Sequence, residues 1–162
     1  MAKLFDASVV KITTMQWIDY YLELAESVKS RSKDKRTKIG AVIVNDQNRL
    51  VSIGYNSFPA GINDDREDRQ VAPEKYYFMA HAEINAIVNA AYNGVSTRNG
   101  IMFSTAGVPC CACAKAIINA GIKKVWVKKD CTTVGEHWKL EQAKSITMFL
   151  EADIDLMYYE ER

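Results

Sequence analysis

At 162 residues the chain suits one domain, long enough to bury roughly two-thirds of the surface its unfolded form would expose, so no second catalytic module has to be sought. Lys and Arg number 21 against 20 Asp and Glu, and a net charge of +1 excludes a sequence-wide attraction to a polyanion; no nucleic-acid partner is expected, although a local positive cluster could still hold a small anion. The chain opens on Met-Ala-Lys with no apolar h-region, and no run approaches the roughly 18 apolar residues a membrane span needs, so it is expected in the cytosol, of a cell or of an infected host.

In chain order, Thr14 can cap a first helix that ends near Lys29, with apolar residues at Trp17, Ile18, Tyr21, Leu22, Leu24, Ala25 and Val28. The run Ser30 to Lys38 holds five basic residues and one acid and reads as a solvated loop, one or two of whose bases could instead reach a substrate phosphate. Ile39 to Val44 is a continuous apolar, β-branched run that suits a strand covered on both faces. Asn45 to Asn48 turns the chain, and Arg49 to Tyr55 returns as the second strand of a hairpin. Between Asn56 and Met79 the sequence is turn-rich and charged. Loops beyond about 12 to 15 residues are usually functional or disordered, and the Tyr76-Tyr77-Phe78-Met79 cluster, which needs something to pack on, predicts order.

Alternation then sets in. His81 to Asn93 has helical spacing and is closed by Gly94, Ile101 to Thr105 is a strand, and a helix from about Cys110 to Ala120 is closed by Gly121. Ile122 to Lys128 is a strand, Glu136 to Glu151 a helix and Ile154 to Tyr159 a last strand. The order αββ-loop-αβαβαβ predicts an α/β fold, a single three-layer α/β/α domain over residues 1–162 with helices on both faces of a mixed sheet of about five strands.

Two of those helix starts carry chemistry. His81-Ala82-Glu83 opens one and Pro109-Cys110-Cys111-Ala112-Cys113 the other. Four cysteines whose close set is a CxxC suit metal ligation better than a disulfide framework. One imidazole and two thiolates form the catalytic kind of zinc set, three protein ligands with the fourth tetrahedral position left to a water whose pKa drops to roughly 7. The positive ends of two helix dipoles favour the thiolate forms. Glu83, two residues past the histidine, is turned away from the ligand direction; it suits a general acid/base that takes a proton from that water, delivers it to a ring nitrogen beside the attacked carbon, and helps an amino group leave as ammonia. A structural zinc would need a fourth ligand, but Cys111 should point elsewhere, Cys131 has no partner in sequence, and His137 reads as a surface residue opening a helix. HxE followed by PCxxC is the signature of zinc-dependent nucleobase deaminases.

On these residues the chain resembles the cytidine/deoxycytidylate deaminase superfamily from about Lys33 through Lys124, and within it the deoxycytidylate (dCMP) deaminases. The segments that carry the likeness are Thr37 to Val44, Gly54-Tyr55-Asn56-Ser57-Phe58-Pro59-Ala60-Gly61, His81 to Ile87 and Pro109 to Ile117. The resemblance implies hydrolytic deamination of dCMP to dUMP for thymidylate synthesis, with catalytic Glu83 and one zinc per chain on His81, Cys110 and Cys113. It also implies that Asn56 contacts the sugar, although on sequence alone Asn56 is equally a turn residue closing the hairpin. By the same likeness Ala82 and Thr105 frame the base through their backbones, and the protein is a homo-oligomer, as family members are often hexamers, with dCTP and dTTP effectors near Gly54 to Gly61.

Three departures from the pattern stand out. No Cys precedes Cys110 and no His precedes His81, so a second, structural zinc is not expected; Ser57 stands where the family has a glycine; and Val127 to Thr133 lacks the tyrosine often found there. For the substrate phosphate, Lys38, Arg36, Arg66 and Arg69 are all candidates. The alternatives are a zinc deaminase of another nucleoside, base or tRNA adenosine, and a zinc-stabilised binding protein with no use for Glu83.

Overall fold

A computed structural model describes residues 16–129 and 136–160, the His137 side chain excepted. The Thr14 cap, Cys131 and positions 130–133 of the segment that begins at Val127 lie outside the described residues, as does any surface role of the His137 side chain.

The continuous apolar run becomes β1 (Gly40–Val44), buried at every position because it has helices on both sides. Ala41 and Ile43 face one core with Met102, Val125, Val127, Ala82, Ala86, Ile117 and Phe149. Val42 and Val44 face the other, with Phe103 and with Tyr21, Ala25 and Val28 of helix α1 (Trp17–Lys29). Period-2 alternation thus sorts one strand's side chains into two layers.

Among the described residues the sheet has five strands in the order β2-β1-β3-β4-β5, with β2 at Leu50–Tyr55, β3 at Ile101–Ser104, β4 at Lys124–Lys128 and β5 at Asp155–Tyr159. β1 is antiparallel to both neighbours, while β3, β4 and β5 run parallel. Parallel neighbours need crossovers, supplied by α4 (Cys111–Asn119) and α5 (Glu136–Glu151). With α3 (Ala82–Tyr92) these pack on the face opposite α1, giving the expected α/β/α layering. None of the described helices is long and apolar enough to cross a membrane.

Two glycines set how closely helices approach the sheet. A Cβ on Gly40 would meet Ala25 O of α1 at 2.1 Å, and one on Gly54 would meet Ala86 N and Ala82 O of α3 at 2.3 and 2.4 Å. Both clashes are with backbone, so only glycine lets the helices seat at this depth. Asn85 and Asn89 of α3 then donate to the carbonyls of Tyr55 and Ile53, each at 2.8 Å, pinning the helix to the outer strand.

The long insert is ordered. It holds a 3-10 turn at Glu67–Gln70 and a short helix α2 (Lys75–Phe78). Its aromatic cluster is only partly packed: Phe78 lies against Phe58 and under the Arg69 guanidinium, whereas Tyr76 and Tyr77 are exposed. The basic loop also differs from the expected solvated run. Its five bases are exposed, but Ser32 and Asp34 are buried between them, because their side chains satisfy backbone and Asn56 groups there.

Candidate active site

His81 and Cys110 are the N-caps of α3 and α4, one position earlier than the first turn expected for them, and both have extended backbone. A cap residue has not yet entered the helical path, so its side chain can project off the helix end. The two ends meet. His81 Nδ1 lies 3.5 Å from Cys110 Sγ and 3.4 Å from Cys113 Sγ, and the three donor atoms fall within 4.8 Å of one another. A tetrahedron built on Zn–N of about 2.0 to 2.1 Å and Zn–S of about 2.3 Å has N···S edges of roughly 3.6 Å. The donor set therefore fits zinc in spacing as well as in chemistry.

In the bare ligands the two thiols part, and only Cys110 follows the expected thiolate form. The hydrogen bond from the Cys113 thiol, against the opposing effect of burial, brings Cys110 down to about 4. The same bond drives Cys113 up, aided by burial and by the Glu83 carboxylate, and the contact with Cys110 raises His81. A metal needs both sulfurs as thiolates, so a dication bound there would release the proton that Cys113 favours.

Glu83 sits in the first turn of α3 and is 3 % exposed. Its Oε2 lies 3.7 Å from Cys113 Sγ, and its Oε1 accepts a hydrogen bond from the Ser104 hydroxyl at 2.7 Å. It adjoins the ligand cluster without belonging to it, as its sequence offset implied. The CxxC turn is fixed from α5, where Glu141 Oε2 accepts the Cys111 N–H at 2.8 Å; Cys111 Sγ turns toward the Glu141 carbonyl, away from the ligands.

A cavity of about 470 Å³ opens over this cluster at the carboxyl end of β3, the side on which open α/β sheets bind ligands. Ala82, Asn56 and the Ala106 to Pro109 turn line it. Asn56 is nearly buried: its amide donates to Thr37 O at 2.8 Å and Asp34 Oδ2 at 3.1 Å, and its oxygen accepts Ile39 N–H at 2.8 Å. Thr105 lies off the wall, its hydroxyl accepting Gly40 N–H at 3.0 Å. Lys38 and Arg36 are exposed, Arg66 pairs with Asp68 at 2.6 Å, and Arg69 covers Phe78; among the described residues none of the four lines the cavity.

The wall instead holds residues that the sequence did not single out. Lys75, on α2, reaches in and pairs with Asp34, and Trp138 of α5 stands with its ring 6.4 Å from that of His81. Burial works to raise the Asp34 carboxyl, but the Lys75 ammonium and the backbone N–H groups of Arg36 and Thr37 hold it below the usual carboxylate range. The signal available for Asp34 was its place as the lone acid among five bases; nothing local marked Lys75 or Trp138.

Comparison with known proteins bears on the same residues. Residues 15–129 match the family described as the cytidine and deoxycytidylate deaminase zinc-binding region. Deoxycytidylate deaminases of Pongo abelii and Homo sapiens are each 40 % identical over 121 residues, 72 % of this chain and 66 % of theirs, so the match spans just under two thirds of these relatives. The dCMP deaminase of cyanophage S-TIM5, solved with dCMP and dUMP, is similar in fold at a TM-score of 0.68 and 27 % identity, over 87 % of this chain and 95 % of that one.

Proposed function

The chain belongs to the cytidine and deoxycytidylate deaminase family, and from that premise we propose that it hydrolyses dCMP to dUMP and ammonia. The observation that carries the reading is a buried glutamate beside a His-Cys-Cys zinc set on the floor of a cavity able to take a small ligand. Zinc on His81, Cys110 and Cys113 would supply Lewis acidity toward a water molecule.

The protein's own residues do the rest. Glu83 takes a proton from the attacking water as its oxygen bonds to C4 of the cytosine ring, and passes that proton to N3. It then relays the second proton of the water to the exocyclic amine; the C4–N4 bond breaks, ammonia leaves, and C4 is left as a carbonyl. Ala82 in the cavity wall frames the base through its backbone, while Asn56 meets the sugar; Thr105 lies off the wall with its N–H given to the Gly40 carbonyl at 3.0 Å, so the part expected of it falls to Ala106. Lys75 supplies the phosphate's positive charge in place of exposed Lys38, because it is the lysine in the wall. Regulation by dCTP or dTTP at Gly54 to Gly61, within a homo-oligomer, belongs to the same proposal. Its support is positional: Ser57 and Ala80 exchange backbone hydrogen bonds of 3.1 and 2.9 Å directly before His81, and Asn85 of α3 donates to Ser57 Oγ at 3.2 Å.

Ammonia release from dCMP, CMP, deoxycytidine, cytidine, guanine and a tRNA anticodon stem tests the reading. dCMP is expected to lead, and a preference for deoxycytidine would overturn the assignment. Glu83→Gln should keep zinc and fold while losing roughly 10²- to 10⁴-fold in kcat, the usual worth of a general acid/base.

A further inference from the structure

Ser104 ends β3 on the face that Met102 shares with α3, and it is 0 % exposed. A strand position so deep is normally apolar, since a buried hydroxyl is costly unless it is hydrogen-bonded. Both oxygens of Ser104 are used. The hydroxyl donates to Glu83 Oε1 at 2.7 Å and accepts the Ala106 N–H at 3.2 Å, and the Ser104 carbonyl accepts the Tyr159 hydroxyl of β5 at 3.3 Å.

The direction of these bonds matters. With Ala106 N–H occupying the acceptor side of Oγ, the hydroxyl hydrogen is aimed at Glu83, and Oε1 is committed to Ser104. Oε2 is then the oxygen left beside Cys113 and the ligand cluster, 3.7 Å from Sγ. A buried carboxylate with one oxygen held from the sheet has lost the rotation that would let either oxygen wander from the reacting water, and such pre-set orientation is a recognised part of the barrier reduction.

We infer that Ser104 is a positioning residue for Glu83, holding one carboxylate oxygen so that the other faces the cavity, and that Ala106 sets the hydroxyl's direction from the same turn that walls the substrate. The inference rests on the deaminase reading above. Ser104 is itself neither a metal ligand nor a lining residue of the cavity, so its removal should leave zinc and KM unchanged and slow the chemical step.

Kinetics of Ser104→Ala on zinc-loaded protein with dCMP decide it. The expected result is a kcat lower by roughly ten- to hundredfold, the rate equivalent of a hydrogen bond to a charged group, with KM and zinc per chain unchanged. Ser104→Thr should restore most of the rate; should its added methyl prevent folding, Ser104→Cys, similar in size with a weaker donor, should give a rate between those of alanine and serine. A kcat within twofold of the wild type, or a loss accounted for by raised KM or missing zinc, overturns the inference and leaves the deaminase reading standing. A wild-type protein that releases no ammonia from dCMP overturns both.

Discussion

Asp34 receives four donors while almost sealed from solvent: the backbone N–H groups of Arg36 and Thr37 at 2.8 and 3.1 Å, the Asn56 amide at 3.1 Å, and the Lys75 ammonium. One carboxylate thus ties the basic loop, the end of the hairpin and the insert to a single cavity wall. Removing one member of a buried pair strands the other, so Asp34→Asn should cost about 3 kcal/mol near pH 7. The pH dependence has a definite sign. The folded protein holds this carboxyl below its ordinary range, so its contribution is complete above the unfolded value of about 3.9 and is lost as pH falls through the folded value. Urea unfolding of wild type and variant in steps from pH 7 downward should show a constant gap that closes only in acid; a gap that narrows near neutrality would assign the stability to another group.

At the scale of elements, the site depends on where two helices begin, and that is set by how they seat on the sheet. α3 lies on β2 through Gly54, with Asn85 and Asn89 latching it to the strand's carbonyls. Gly54→Ala would drive a methyl into the backbone of Ala82 and Ala86, so the helix must lift, carrying His81 and Glu83 with it. Overpacking of this kind costs about 1–3 kcal/mol. The expected outcome is a lower unfolding midpoint together with weaker zinc retention in chelator competition. A variant that loses stability but holds zinc as tightly as the wild type would show that ligand placement does not depend on this contact. α4 is anchored from the opposite side by Glu141 of α5, so each half of the ligand set is registered by a different neighbour.

Across the whole molecule, zinc would join α3 and α4, which are separated in the chain by β3 and its turns. Metal analysis should find one zinc per chain. The single-domain reading predicts one cooperative thermal transition for the loaded protein. Chelation should lower its midpoint by roughly 10 °C, as expected when a ligand worth about 3–4 kcal/mol is withdrawn from a chain of this size; two transitions, or two zincs, would contradict this picture. The architecture and the His-Cys-Cys set with its neighbouring carboxylate were legible in the residues because each rests on local information. A β-branched run, glycines after helices, and His-x-Glu and Cys-x-x-Cys at helix starts state their own geometry within a few residues. The rest of the cavity wall, beyond Asn56, Ala82 and the metal set, was not legible. Lys75, Asp34 and Trp138 of the wall, and Ser104 behind Glu83, come from four separate segments, and each looks ordinary in its own: a lysine in a charged insert, an acid among bases, an aromatic on an amphipathic helix, a serine ending a strand. Only the tertiary fold decides that Lys75 rather than Lys38 faces the cavity and that Ser104 meets Glu83, because those contacts depend on the depth at which α2 and α3 pack, which no spacing within the chain records.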